Sequence, residues 1–359
     1  MGPQRLAAHD RPDWSAAAVT PVEVAAMRRA LALAATEGVP RGPNPRVGCV
    51  LLDASGATLA EGWHRGAGTA HAEADALTRA GAAARGATAV VTLEPCNHTG
   101  RTSPCAQALL VAGVRRVVYA QSDPNPLAAG GAATLAQGGV EVVGGVLAAE
   151  AAALNEAWDF AMRHGRPLVT WKAASTLDGR VAAADGSSRW ITGAEARADV
   201  HALRATVDAV LVGTGTALAD DPALTVRGAD GVPAPRQPLR VVMGRRPVPE
   251  GAALRDGRAP LLVFPTESPA QVLAALAAQQ VQHVLLEGGP RLAAAFVGAG
   301  LVDRVVWYVA PVLLGAGPAA LADLGIASIG GAVRLDVVDV TRVGHDVRIT
   351  GRMGHDLPG

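Results

Sequence analysis

The amino-acid sequence predicts two fused α/β domains of layered type, and three observations lead there. Strand-length apolar runs alternate with alanine-rich helical stretches through both halves of the chain. No internal repeat relates one half to the other. A chain of 359 residues has room for about two domains of roughly 150 residues, each large enough to bury its own core.

Taken in order, residues 1–20 read as a flexible N-terminal extension, and a helix is expected over 21–37, with Val24, Met27, Leu31 and Ala35 on its apolar face. A Gly/Pro-rich loop follows over 38–45. Short buried strands are expected at 47–53, 87–93, 116–120 and 140–143, with helical stretches around 70–84, 103–113 and 131–137. A helix over 148–164 runs into Gly165-Arg166-Pro167, where glycine suits a helix C-cap and proline discourages continuation. The domain boundary is placed there, giving a first domain of 21–165 and a second of 166–359. In the second, strands are expected near 168–174, 207–213, 239–243, 260–264, 281–286 and 303–309, helices near 193–205, 269–279 and 290–299, and a closing β-rich stretch over 333–351.

Composition narrows the function. Half the residues are apolar, 18% are charged and the formal net charge is zero, so no basic field for nucleic acid is expected and the partner is a small molecule. No apolar stretch is long enough to cross a bilayer, and the charged N-terminal stretch does not read as a secretory signal. Three cysteines form no disulfide framework, and together these features predict residence in a reducing cytoplasm where thiols stay available to metal. Oligomeric state, homo-oligomers included, is left open.

The chemistry concentrates in His71-Ala72-Glu73, Pro95-Cys96 and Cys105. One imidazole and two thiolates are a ligand set for a catalytic zinc with one open position, and Glu73 is then free to move protons. Each residue alone has a plain structural reading, a polar helix start or small buried cysteines. The combination matches the zinc-deaminase signature of a metal histidine, an acid/base glutamate and cysteine ligands. That signature has two residues between its cysteines, whereas here eight intervene and form a loop with His98, Arg101 and Thr102 beside the presumed metal. Arginine and threonine suit phosphate or sugar oxygens, and Asn44, between two prolines, is a second candidate for reading the substrate. Cys49 lies in an apolar strand and reads as core.

Pro43-Asn44-Pro45-Arg46-Val47-Gly48, His71-Ala72-Glu73, the run from Thr92 through Cys105, and Asp123-Pro124-Asn125-Pro126 together resemble the bifunctional riboflavin-biosynthesis deaminase/reductase family, of which the long loop between the cysteines is a hallmark. The resemblance implies a cytidine-deaminase-like three-layer α/β/α domain, with one zinc per chain on His71, Cys96 and Cys105 and Glu73 as proton shuttle. It implies hydrolytic deamination of 2,5-diamino-6-(5-phosphoribosylamino)pyrimidin-4(3H)-one to 5-amino-6-(5-phosphoribosylamino)uracil. Family members often carry serine where this chain has Asn97.

Bottom-up, the second half offers only nucleotide-site hints. Gly213-Thr214-Gly215 follows an apolar strand without completing a G-x-G-x-x-G pattern, and Glu287-Gly288-Gly289-Pro290 opens a helix whose free N–H groups attract phosphate. On the residues alone, an ordinary strand-to-helix turn is the slightly favoured explanation of the latter. The resemblance continues through Lys172 to Arg180, Ser188 to Thr192, Val212 to Thr216, Ala219 to Arg227, Leu286 to Pro290 and Tyr308 to Pro311. It implies a dihydrofolate-reductase-like α/β domain that uses NADPH to reduce ribosyl to ribityl. Ala173, Trp190, Thr216, Asp220 and the loop of Gly289, Pro290, Arg291, Leu292, Ala293, Ala294 and Ala295 would then lie near NADPH. Ser188, Arg204, Leu224, Arg227 and Glu287 would face the substrate, and Lys172 and Asp178 are polar residues without an assigned role.

Two other readings are weighed. A nucleic-acid-editing zinc deaminase predicts a basic surface and stacking aromatics, against zero net charge and 3% aromatic residues. A non-catalytic nucleotide sensor would have no need of the intact set His71, Glu73, Cys96 and Cys105.

Overall fold

A computed structural model of the chain describes residues 18–99, 103–228 and 230–354. The chain divides into two compact units, one ending at Arg163 and the other beginning at His164. No helix among the described residues is long and apolar enough to cross a membrane.

In chain order the first unit contains α1 (Pro21–Ala34), β1 (Gly48–Leu52), β2 (Thr58–Trp63), α2 (Ala72–Ala80), β3 (Thr88–Leu93), α3 (Cys105–Ala112), β4 (Arg116–Gln121), α4 (Gly131–Gln137), β5 (Glu141–Val143), α5 (Ala148–Leu154) and α6 (Glu156–His164). The sheet order is β2-β1-β3-β4-β5, with β1 antiparallel to both β2 and β3 and the remaining pairs parallel. Strand residues alternate between two cores. Cys49, Leu51, Ala89 and Val91 pack with Ala72 and Ala76 of α2, Leu109 of α3 and Leu135 of α4. Val50, Leu52 and Val90 pack with Met27, Ala30 and Leu33 of α1 and Ala151 of α5. The result is a three-layer α/β/α unit. Its first helix is started by a capping box, Thr20 Oγ1 accepting from the Glu23 N–H at 3.2 Å while a Glu23 carboxylate oxygen accepts from the Thr20 N–H at 2.8 Å.

Two features depart from the sequence-based expectation. Residues 58–63 were given no element, yet they form edge strand β2, because Ala60 and Gly62 are weak strand formers whose small size is what the packing needs. A Cβ on Gly62 would lie 2.3 Å from the Ala72 carbonyl oxygen, so only glycine lets β2 approach the start of α2. The helix expected over 148–164 is broken at Asn155. There its buried amide accepts from the Arg46 N–H at 2.8 Å and donates to the Arg46 carbonyl at 2.9 Å, tying the break to the segment that leads into β1.

The second unit contains β6 (Leu168–Thr176), α7 (Ala194–Arg204), β7 (Ala209–Gly213), α8 (Thr214–Asp220), β8 (Leu239–Met243), β9 (Leu261–Phe264), α9 (Pro269–Ala278), β10 (His283–Leu286), α10 (Pro290–Gly298), β11 (Arg304–Ala310), β12 (Leu335–Val343) and β13 (Asp346–Met353). Its eight-stranded sheet runs β12-β13-β11-β6-β10-β7-β8-β9. The strands from β11 to β9 are parallel, and β13 and β12 add an antiparallel edge. The expected closing β-rich stretch is present as the β12–β13 hairpin, and one feature departs from the sequence reading: α8 forms where no helix was assigned. Trp171 and Ala173 of β6 face a core shared with α9 and α10, whereas Ala174 packs with Ala196 and Val200 of α7 on the opposite face. That alternation decides which β6 side chains reach the cavity described below.

Candidate active sites in the two units

In the first unit the chemistry collects where β3 ends and α2 and α3 begin. His71 caps α2 in extended conformation without using its ring as a cap. Cys96 lies just beyond β3, and Cys105 opens α3. His71 Nδ1 is 3.3 Å from Cys105 Sγ and 3.6 Å from Cys96 Sγ, and the three ligand atoms lie within 4.8 Å of one another. In a tetrahedral zinc site with bonds of about 2.0–2.3 Å, neighbouring donors sit roughly 3.3–3.8 Å apart, so this nitrogen and these sulfurs fit the ion. Gly131 supports the arrangement: a Cβ there would fall 1.7 Å from the Pro95 carbonyl oxygen, so glycine lets α4 close on the turn that carries Cys96.

The electrostatics agree. A hydrogen bond from Cys105 and the adjacent His71, working against burial, bring the Cys96 thiol down to about 4, while the bond to Cys96 and burial push Cys105 up. A divalent cation binding here would displace the remaining thiol proton. Glu73, also on α2, is buried and not among the three ligands; burial raises its carboxyl to about 7, against the pull of its own backbone N–H and His71. A carboxyl poised there can accept and release protons near neutrality.

Asn44 reaches this centre through a residue the sequence reading did not single out. Its Nδ2 is 3.1 Å from His64 Nε2, and the His64 ring meets His71 edge-on at 5.5 Å between centroids. His64 Nδ1 is 3.0 Å from the Ala70 carbonyl, so Nδ1 carries the proton and Nε2 accepts from Asn44. The only sequence signal was a histidine just before the His-x-Glu motif. His98 is exposed in the loop after Cys96. Arg101 and Thr102 lie outside the described residues.

Two cavities of the second unit carry the residues expected at a nucleotide and substrate site. The larger, about 950 Å³, is lined by Thr216 and Asp220 of α8, by Gly289, and by Pro290, Arg291, Leu292 and Ala295 of α10. The starts of α8 and α10 both open onto it, placing free backbone N–H groups where phosphate binds favourably. Arg245 and Arg246, not assigned from the sequence, line it as well. Ala293 is fully buried in the core and Ala294 is half-buried.

The second cavity, about 510 Å³, is lined by Lys172, Ser188, Trp190, Arg204, Leu224 and Glu287. Glu287 follows β10, and its carboxylate is held by Arg204 of α7 at 2.5 and 2.8 Å and by Lys172 Nζ of β6 at 3.3 Å. Burial would raise Glu287, but the Arg204 and Lys172 cations outweigh it and hold the carboxyl at about 2. Three elements remote in sequence thus set one ionised network. Trp190 is 68% exposed with the Arg197 guanidinium 4.5 Å above its ring, a cation–π contact at the cavity mouth. Arg197, His201 and Tyr308 also line this cavity and went unassigned in the sequence, where an ordinary helix or strand gave no signal. Arg227 is exposed and donates from Nε to Thr225 Oγ1 at 3.0 Å. Ala173 faces the core while Lys172 and Ala174 line the cavity. Asp178 accepts from the Leu314 and Gly315 N–H groups, which ties a loop.

Residues 22–121 match the cytidine and deoxycytidylate deaminase zinc-binding region, and residues 167–349 match the RibD C-terminal domain. The chain is 50% identical over 310 residues to riboflavin biosynthesis protein RibD of Mycobacterium tuberculosis (strain ATCC 25618 / H37Rv), covering 86% of this chain and 91% of that protein. It is 40% identical over 355 residues to RibD of Escherichia coli (strain K12), covering 89% and 96%. Among solved structures, Acinetobacter baumannii RibD superposes with a TM-score of 0.82 at 39% identity, over 93% of this chain and 99% of that one. A Thermotoga maritima protein described as a diaminohydroxyphosphoribosylaminopyrimidine deaminase/5-amino-6-(5-phosphoribosylamino)uracil reductase also has a TM-score of 0.82, at 33% identity over 93% and 99%. With a zinc-binding deaminase region in one unit and a reductase domain in the other, the chain belongs to the RibD family of bifunctional riboflavin-biosynthesis deaminase/reductases.

Proposed function

We propose that this chain deaminates 2,5-diamino-6-(5-phosphoribosylamino)pyrimidin-4(3H)-one in its first unit and reduces the product, 5-amino-6-(5-phosphoribosylamino)uracil, with NADPH in its second. The observation that carries the reading is the fit of the His71, Cys96 and Cys105 donors to one zinc ion beside a buried, non-ligating Glu73. The activities ascribed to the Thermotoga maritima relative support the choice of substrates.

A zinc ion held by His71, Cys96 and Cys105 supplies Lewis acidity that makes water a nucleophile near neutral pH. Glu73 takes a proton from the attacking water at its carboxylate oxygen and delivers it to the ring nitrogen of the amidine. The same carboxylate then takes the second water proton, from the hydroxyl newly added to the ring carbon, and passes it to the departing amine, so that the C–N bond breaks as the carbonyl forms, water is consumed and ammonia leaves. Asn44, its amide oriented by His64, is positioned to read the pyrimidine, with His98, Arg101 and Thr102 serving its sugar-phosphate end.

In the second unit bound NADPH would supply hydride for C1 of the opened ribosyl group, with a proton from solvent completing the reduction at the adjoining nitrogen. The larger cavity holds the dinucleotide, with Thr216, Asp220 and the Gly289 loop against it. Ser188, Leu224, Arg204 and Glu287 line the adjoining cavity and position the substrate, Arg204 and Arg227 offering guanidinium groups to its phosphate. Thiol ligands that must stay reduced favour the cytoplasm.

A coupled assay with the authentic diaminopyrimidine phosphate tests both halves. Ammonia release should precede NADPH consumption, and NADPH should be consumed without prior deamination when the uracil intermediate is supplied. Absence of either reaction in zinc-loaded protein would refute that half.

A further inference from the structure

Helix α7 lines the smaller cavity of the second unit with Arg197, Val200, His201 and Arg204, and His201 and Arg204, three residues apart, share one face. The Nδ1 of His201 lies 3.1 Å from the Thr225 carbonyl oxygen. A carbonyl can only accept, so the ring proton sits on Nδ1, and Nε2 is left with its lone pair as the nitrogen available to the cavity. Burial and the neighbouring Arg204 cation hold the imidazole below its ordinary value, against the opposing pull of the Thr225 carbonyl and Glu287, so the ring stays neutral at pH 7.

The surrounding wall makes that lone pair useful. Lys172, Arg197 and Arg204 are donors only. The Glu287 carboxylate is engaged by Arg204 and Lys172, and the Tyr308 hydroxyl donates to Asp199 at 2.7 Å. A phosphate finds partners in these cations, whereas a sugar hydroxyl that donates its proton needs an acceptor, which His201 Nε2 offers beside the Ser188, Thr192 and Thr216 hydroxyls and the Asp220 and Asp221 carboxylates.

We propose that His201 Nε2 accepts a hydrogen bond from a hydroxyl of the sugar-phosphate chain of the compound that is reduced, making His201 a specificity residue of the reductase. The assignment rests on the reductase reading of this cavity. The hydrogen bond to Thr225 fixes the tautomer and at the same time ties α7 to the segment that carries Leu224.

The test uses the full-length chain with 5-amino-6-(5-phosphoribosylamino)uracil and NADPH. His201→Phe keeps a planar ring without an acceptor, and His201→Gln keeps an acceptor. The Phe variant should raise KM for the uracil compound roughly three- to tenfold, the worth of one neutral hydrogen bond, with kcat, KM for NADPH and ammonia release by the first unit little changed. Gln should restore most of the loss. An unchanged KM in the Phe variant overturns the proposal, as does an increase in KM for NADPH instead. A Gln variant as impaired as Phe also overturns it, because restoring an acceptor would then bring no gain. Should His201→Phe fail to fold, His201→Asn, which keeps a donor for Thr225 and places no acceptor at the Nε2 position, should show the same rise in KM, and wild-type KM there overturns the proposal. Wild-type protein that reduces nothing would refute the reductase reading itself, a distinct result.

Discussion

Arg204 Nε lies 2.5 Å from Glu287 Oε1, and the pair joins α7 to the end of β10 inside the second unit. Lys172 adds a second cation to the same carboxylate, so one negative charge, 4% exposed, is shared between two positive ones. The cavity wall therefore has fixed polarity before any ligand arrives.

Removing that carboxylate should cost stability as well as activity. Glu287→Gln leaves Arg204 and Lys172 facing each other without a counter-ion, and breaking a buried pair from one side typically costs about 3–5 kcal/mol. Chemical denaturation should show the second unit melting earlier, with reduction of the uracil intermediate lost and ammonia release retained. Equal loss of both activities would contradict this picture.

Acid should weaken the same network. The glutamate titrates near 4.5 when free and at about 2 when folded, so its folded value is depressed and its stabilising contribution is present above 4.5. That contribution falls away as pH drops from about 4.5 toward 2. The pH dependence of unfolding for Glu287→Gln should lack this part of the acid limb when compared with wild type.

Glu73→Gln should reduce ammonia release by at least 10²–10⁴-fold, the usual worth of a positioned acid/base group. Because Glu73 is not one of the three clustered donors, zinc content and reduction of the deaminated intermediate should stay at wild-type levels. Metal analysis and the two half-assays check all three statements, and near-normal deamination would remove Glu73 from the mechanism.

Zinc itself should be counted at one ion per chain, held by three protein ligands. Cys96→Ser or Cys105→Ser should lower metal content sharply and abolish deamination. A folded, untreated preparation without zinc would contradict the site.

Gly62→Ala places a Cβ 2.3 Å from the Ala72 carbonyl oxygen, at the start of the helix that carries His71 and Glu73. Overpacking of this kind costs typically 1–3 kcal/mol. Thermal unfolding of the first unit should move down, and deamination should fall more than reduction.

Much of the deaminase centre was legible because its chemistry is local. His71 and Glu73 share one helix start, and the two cysteines flank one loop, so spacing along the chain already implied spacing in space. The strand and helix alternation was equally readable, since apolar periodicity is set by near neighbours. What failed had small or polar residues at the decisive positions: Ala60 and Gly62 concealed an edge strand, and the helix is interrupted at Asn155, whose side chain bonds to Arg46 over a hundred residues away. His64 and His201 were invisible for a related reason. Each is an ordinary histidine until its partner, Asn44 or Thr225, comes from another element and settles which nitrogen bears the proton.

The sequence by itself determined the two-part α/β plan, the donor set His71, Cys96 and Cys105, and the family. Tertiary structure alone decided that Glu73 is buried enough to titrate near neutrality, and that Lys172, Arg204 and Glu287, from three separate elements, form one network. The physical reason is sheet order: β6 and β10 are neighbours although more than a hundred residues separate them, and charge, burial and tautomer are properties of what such neighbours bring together.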